Sequence, residues 1–199
     1  MIKILANDGI DAAGKKIFDA AGFTVSTDKV PQEKLAEALK NFDAILVRSA
    51  TTVRTDVIDA CPNLKVIGRA GVGMDNIDVK YARDKGLAVI NTPAASSQSV
   101  AELVFAHLFT GVRMLYDANR NMPACSTKET FDKLKKSYSA GIELKGKTIG
   151  IIGAGQIGKC VAAIAVGLGM NVLFHRLNNE DVVVDMDFHP ALGQKKITL

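Results

Sequence analysis

The chain has 199 residues, 48% of them hydrophobic, enough to bury one large core or two small ones. Its formal charge of +4 comes from intermingled acids and bases, so no nucleic acid partner is needed to explain it. No apolar run has membrane-spanning length, and Met1 to Ala6 lacks the apolar core and cleavage site of a signal peptide. Cys61, Cys125 and Cys160, an odd number without a disulfide framework, suit a reducing compartment, and the expectation is a cytoplasmic protein that engages neither nucleic acid nor membrane. These cysteines are too scattered for a metal site, and His107, His175 and His189 show no ligand spacing.

In chain order, Ile2 to Ala6 is an apolar strand that ends at Asn7-Asp8-Gly9, and a helical pattern follows from Ala12 to Ala21, stopped by Gly22. Phe23 to Ser26 is a second strand. Pro31 sits at a helix start, the helix runs to about Lys40, and Asp43 to Val47 is a third strand. Thr55 is expected to cap a short helix to Ala60; Leu64 to Gly68, Val79 to Lys85 and Leu87 to Ile90 then read as strand, helix and strand. Strands separated by helices imply a parallel sheet with right-handed crossovers.

Ligands of such sheets bind beyond the carboxyl ends of the strands. Arg48-Ser49-Ala50-Thr51-Thr52 follows the third strand, and its guanidinium and hydroxyls suit a carboxylate or a phosphate; a solvated surface arginine explains the local pattern equally well. After the fourth strand, the glycines of Arg69-Ala70-Gly71-Val72-Gly73-Met74-Asp75-Asn76 would let backbone N–H groups face a small anion, or simply form a turn. Asn91-Thr92-Pro93 follows the fifth strand.

Ser99 and Glu102 have capping-box spacing and predict a helix from Val100 to about Asn119. That helix is apolar almost all round, which predicts burial between domains or against another subunit, with His107 as a core histidine. Residues 121–146 read as a linker and surface excursion, with Lys133-Leu134-Lys135-Lys136 as one solvated helix face.

Thr148 to Ile152 is an apolar strand that leads into Gly153-Ala154-Gly155-Gln156-Ile157-Gly158 and an amphipathic helix from Gln156 to Leu168. In such a fingerprint Gly153 permits the tight turn, Gly155 admits a pyrophosphate to the backbone, and Gly158 lets helix and strand pack closely. The helix N-terminus supplies N–H groups for the phosphates. A second strand, Asn171 to His175, should end in an acidic residue for the ribose hydroxyls of NAD; Arg176 stands there instead. A guanidinium pairs with a ribose 2′-phosphate, which favours NADP, although Glu180 or Asp181 could supply the acid from the loop, and a solvated strand-end arginine is the other reading. Asp181 to Phe188 and Lys195 to Leu199 are strand-like.

Arg48-Ser49, Gly68 to Asp78, Asn91-Thr92-Pro93, Ser99 to Leu103 and Leu144 to Gly158, in this order, resemble the D-isomer-specific 2-hydroxyacid dehydrogenases, with the branch that oxidises 3-phosphoglycerate nearest. The resemblance implies an α/β protein with two Rossmann-like doubly wound parallel-sheet domains: a substrate domain at 1–92, an interdomain and dimer helix with linker at 93–146, and an incomplete NAD(P)-binding domain at 147–199. It implies that Arg48, Ser49, Gly71, Val72 and Gly73 bind substrate, with Val72 also facing the nicotinamide. Gly153, Gly155, Gln156, Ile157 and Gly158 would hold the pyrophosphate of NAD, or of NADP given Arg176, and a homodimer would form through helix 100–119. The family's catalytic arginine, glutamate and histidine belong to a later part of the nucleotide domain, so this span is expected to turn over no substrate by itself and to leave apolar edges exposed. An NADPH-dependent glyoxylate or hydroxypyruvate reductase, and a non-catalytic dinucleotide-sensing interaction module, are the alternatives.

Overall fold

Five apolar tetrapeptide-scale runs, each followed by a helix or turn, assemble into one parallel sheet. In the computed structural model, which describes residues 2–177, 180–186 and 196–199, the chain divides into two compact units, Met1–Ala95 and Ser96–Leu199. The first unit contains β1 (Lys3–Ala6), β2 (Thr24–Ser26), β3 (Ala44–Val47), β4 (Val66–Arg69) and β5 (Ala88–Asn91), all parallel and ordered β2-β1-β3-β4-β5. The connecting helices are α1 (Ala12–Ala20), α2 (Leu35–Leu39), α3 (Thr55–Ala60) and α4 (Val79–Asp84).

Alternation along the strands divides this core in two. Leu5, Ile45, Ile67 and Val89 pack with Leu35, Leu39, Val57, Ile58 and Ala82 from α2, α3 and α4. Ile4, Ala6 and Ala44 turn to the opposite face, where Phe18 of α1 and Phe23 join them. Strand order reverses between β1 and β3, the place where ligands of doubly wound sheets bind.

Two local expectations are corrected. Pro31 opens a 3-10 turn, Gln32–Lys34, so the α-helical part is only Leu35–Leu39. Thr55 is the first residue of α3, not its cap; its N–H is met by Oδ2 of Asp78 at 3.0 Å, a partner supplied from the start of α4. The unsatisfied donors of a helix start need an acceptor, which need not be local in sequence.

The second unit opens with α5 (Ser97–Val112) and continues through α6 (Leu115–Asn121) and α7 (Lys128–Ser137) to β6 (Thr148–Ile152), α8 (Gln156–Gly167) and β7 (Asn171–His175). β6 and β7 are parallel neighbours; β8 (Val183–Asp185) and β9 (Lys196–Thr198) form a separate antiparallel pair. Of the strand-like tail segments, residues 187–195, with His189, lie outside the described residues. Ala101 and Phe105 of α5 pack on Val161 and Ala165 of α8 with Leu144 and Met170, while Val182, Val184 and Met186 cover the Ala162 side of α8.

The single helix expected over 100–119 is two helices. α5 begins at Ser97 with Ser96 at its N-cap and no side-chain cap bond, which places Ser99 and Glu102 inside it; Glu102 Oε1 accepts from Gln98 Nε2 at 2.9 Å instead. It ends at Val112 because the Val112 carbonyl accepts the N–H of Ile142 at 2.8 Å, and Met114 adopts a left-handed φ of 52° before α6 starts. Nor is α5 buried all round: Leu103 is 56% exposed, and Val104 and Phe109 are also exposed. His107 is exposed on the same helix and is not a core histidine. Only one stripe of α5 meets α8; the opposite stripe has no cover within the described residues. Among the described residues no helix is long and apolar enough to cross a membrane, and no cluster of three or more His, Cys, Asp or Glu has metal-binding geometry.

Candidate functional site

At the switch point between β1 and β3, Asn7, Asp8 and Gly9 leave one strand, and Arg48, Ser49 and Ala50 leave the other. With Thr27 and Lys29 they line a hollow of about 300 Å³. Two cations and one carboxylate therefore share it. The Asp8 carboxylate is the centre of a hydrogen-bond cluster: Oδ2 accepts the backbone N–H of Arg48 at 2.7 Å and that of Thr51 at 3.1 Å, and Oδ1 accepts the Thr51 hydroxyl at 2.7 Å. Burial pushes its pKa up, but the Thr51 hydroxyl, the two backbone donors and the Lys29 charge outweigh it and hold the carboxyl below its ordinary value. Asn7, itself buried, extends the cluster: Nδ2 donates to Thr51 Oγ1 at 2.9 Å, and Oδ1 accepts the Val30 N–H at 2.8 Å, next to Lys29.

The loop after β4 joins through Asn76, which is only 6% exposed. Its Nδ2 donates to the carbonyls of Arg48 at 2.8 Å and Thr51 at 2.6 Å, and its Oδ1 accepts Arg69 Nε at 3.1 Å. The Arg69 guanidinium then lies across Gly71, where a Cβ would collide with Arg69 Nη1. The end of β5 fixes the same segment: Asn91 Nδ2 donates to the Val72 carbonyl at 2.7 Å, and the Thr92 N–H to the Gly71 carbonyl at 3.2 Å. Arg48, Ser49, Val72 and Gly73 are exposed on these interlocked loops, and Gly71 is half-buried.

The second unit builds a different site. Gly153 has φ 103°, a conformation that favours glycine, and its N–H continues the strand ladder to the His175 carbonyl at 2.9 Å. A Cβ on Gly158 would strike the Gly153 carbonyl oxygen, so this residue must be glycine for α8 to approach the turn. Gly155, at the N-cap of α8, has nothing within 4 Å of where its Cβ would stand, and no side chain caps the helix. The N–H groups of Gln156, Ile157 and Gly158 therefore begin an uncapped helix beside open space. A cleft of about 420 Å³ runs from Ile152, Gly153 and Ala154 to His175, Arg176 and Leu177. Arg176 lines it, paired with Glu180; Asp181 is exposed and is not among the residues lining this cleft.

The fingerprint glycines, Gln156, Ile157 and Arg176 thus fall on one turn and its facing strand end, and Arg48 and Ser49 share a second hollow in the first unit. Residue patterns assigned no role to Asp8, Lys29, Asn76 or Asn91, although Asn76 and Asn91 lay within two of the segments noted after strands. The signal for Asp8 and Asn91 was positional, since Asp8 stands two residues beyond β1 and Asn91 is the last residue of β5, a parallel strand of the same sheet.

Residues 4–153 match the family model of the D-isomer specific 2-hydroxyacid dehydrogenase, catalytic domain. The chain belongs to this family. Within the D-2-hydroxyacid dehydrogenases it is 42% identical over 173 residues to D-3-phosphoglycerate dehydrogenase of Methanocaldococcus jannaschii, covering 87% of this chain and 32% of that protein. It is 39% identical over 172 residues to hydroxypyruvate reductase of Thermotoga maritima, covering 86% of this chain and 54% of that protein. A solved structure of NAD+-bound 3-phosphoglycerate dehydrogenase from Entamoeba histolytica matches with a TM-score of 0.68 at 30% identity, covering 88% of this chain and 54% of that one. The chain thus spans between a third and about half of the dehydrogenases it matches.

Proposed function

We propose that the chain serves an oxidoreductase that acts on the CH–OH group of a small D-2-hydroxyacid, with 3-phosphoglycerate as substrate and NAD as cofactor. The observation that carries this reading is the convergence of Arg48 and Lys29 on one hollow at the β1/β3 switch point, where a doubly anionic ligand gains from both charges. Arg48 offers a bidentate fork, Lys29 a point charge, and the Ser49 hydroxyl a neutral donor. The Gly71-Val72-Gly73 loop, tied down by Asn91 and Thr92, is assigned the substrate's remaining polar groups, and Val72 also the nicotinamide.

A dinucleotide suits the glycine turn on physical grounds, because the space beside Gly155 is empty and the α8 N-terminus is uncapped. Gly153, Gly155, Gly158 and the N–H groups of Gln156 and Ile157 would hold its pyrophosphate. When bound, a nicotinamide supplies a hydride acceptor. Asp8 is not assigned as the base that takes the hydroxyl proton: its carboxylate is engaged by three donors and held ionised by them. The kinship to D-3-phosphoglycerate dehydrogenase and to an NAD+-bound relative supports the same reading.

A second reading, an NADPH-dependent hydroxypyruvate or glyoxylate reductase, rests on Arg176 at the end of β7 and on the kinship to a hydroxypyruvate reductase. Calorimetric titration with D-3-phosphoglycerate, hydroxypyruvate, NADH and NADPH separates the two. Saturable binding of 3-phosphoglycerate and preference for NADH are expected; preference for hydroxypyruvate and NADPH would transfer the assignment to the second reading.

A further inference from the structure

We infer that Asp8 and Asn76 are a pair of positioning residues that hold the Arg48-Ser49-Ala50 turn in the conformation that receives an anion. This inference rests on the proposed substrate hollow. The two side chains grip the same two residues, one through their backbone N–H groups and the other through their carbonyls. Asp8 accepts the N–H groups of Arg48 (2.7 Å) and Thr51 (3.1 Å), while Asn76 donates to the carbonyls of Arg48 (2.8 Å) and Thr51 (2.6 Å). Both flanking residues of the turn therefore have their backbone donor and acceptor taken by side chains from other loops, one after β1 and one after β4.

What lies between the grips is treated differently. Ser49 and Ala50 are exposed, and among the described residues no protein acceptor meets their N–H groups. A turn clamped at its two ends with open donors between them, in a hollow that Arg48 and Lys29 also line, presents fixed donors to an anion without an ordering cost at binding. The grip on the N–H and the carbonyl of Arg48 also sets where its side chain leaves the backbone.

Asp8 makes the idea testable because its two effects on an anion have opposite signs. As a charge inside the hollow it repels an anion, so electrostatics alone predicts that Asp8→Asn tightens binding. As a grip it is required, so positioning predicts the reverse. Asparagine is nearly isosteric but retains only one acceptor oxygen for three donors.

The experiment uses the full chain, titrated with inorganic phosphate and with D-3-phosphoglycerate and followed by amide NMR, together with hydrogen exchange of the Arg48 and Thr51 amides. Expected for Asp8→Asn is binding about tenfold weaker, the loss of one well-made hydrogen bond. Arg48 and Thr51 amides should exchange faster while those of Leu5 and Ile45 keep their protection. Unchanged or tighter binding would overturn the inference. Asn76→Ala should act in the same direction; if it does not fold, the isosteric Asp8 variant carries the test. Should the wild-type chain bind neither probe, the substrate assignment fails, and exchange alone then decides the pair: unaltered protection of Arg48 and Thr51 in Asp8→Asn would refute it.

Discussion

Arg176 donates to Glu180 twice, from Nη1 to the backbone carbonyl at 3.2 Å and from Nη2 to the carboxylate at 3.1 Å. The guanidinium at the end of β7, where Arg176 lines the cleft beside the glycine turn, is thereby held by a neighbour four residues on. A 2′-phosphate must compete with that carboxylate, while ribose hydroxyls can use it as an acceptor. The pair is therefore poised between the two dinucleotides. Arg176→Asp is expected to lower the NADPH to NADH affinity ratio by about tenfold, the worth of one charge-assisted contact. Glu180→Gln should move the ratio the other way. A ratio indifferent to both changes, read by nicotinamide fluorescence titration, would remove Arg176 from the cofactor site.

Two glycines of the same turn should respond differently to a single methyl group. Gly158→Ala drives a Cβ into the Gly153 carbonyl and is expected to destabilise the second unit by about 1–3 kcal/mol and to abolish dinucleotide binding. At Gly155 the space is open and φ is −76°, so alanine is tolerated by the fold and should weaken only the dinucleotide. Thermal unfolding beside NADH titration separates the pair; equal losses of stability would contradict the packing argument.

Arg48 is exposed, so its replacement leaves the core untouched. Arg48→Gln is expected to weaken D-3-phosphoglycerate by about tenfold to a hundredfold and to change unfolding stability by less than about 0.5 kcal/mol. Lys29→Gln should give a smaller loss, since a point charge lacks the bidentate fork. Binding unaffected by both substitutions would move the substrate elsewhere.

Acid should loosen the first unit through its carboxylates. Asp43 is held below its ordinary value by hydrogen bonds from Lys65 and the Lys3 N–H, and Asp59 by those from Lys85 and Tyr81. Asp8 is lowered too, its donors overcoming burial. A group whose folded pKa is depressed contributes stability that is present above its unfolded value, near 4, and is lost as pH falls through the folded one. Chemical unfolding midpoints are thus expected to be flat from neutral pH to about 5 and to fall below about 4, with a shallower fall in Asp8→Asn. An identical slope in the variant would show that Asp8 is not linked to folding.

We propose that a second copy of the chain covers the exposed stripe of α5. Leu103→Glu is then expected to shift light-scattering mass from dimer toward monomer without altering the α5–α8 contact, which uses Ala101 and Phe105 instead. A wild-type chain that is monomeric at every concentration would refute the assignment.

The parts read from sequence were those where one residue's own chemistry decides. Apolar runs of four or five residues became parallel strands within a residue or two of their expected limits, and Gly153 and Gly158 stand where a turn and a close approach leave no room for a side chain. What escaped was set by partners distant in the chain. The break after Val112 depends on the Ile142 N–H reaching its carbonyl, and the cap of α3 on Asp78. Asp8 looked like a turn residue because its role exists only once β1 lies beside β3; Asn76 sat unassigned within a glycine-rich motif for the same reason.

The left-handed turn at Met114 also divides the second unit by what its segments contribute to folding. Between that turn and Gly141, neither α6 nor α7 nor the 3-10 turns beside them buries a single residue, and the Ile142–Val112 hydrogen bond closes the base of the excursion. Protease should therefore cut here first, and the two fragments of a nicked chain should remain associated through α5 and α8. The same economy makes the excursion the natural place for evolution to insert, shorten or recharge sequence without disturbing the glycine turn.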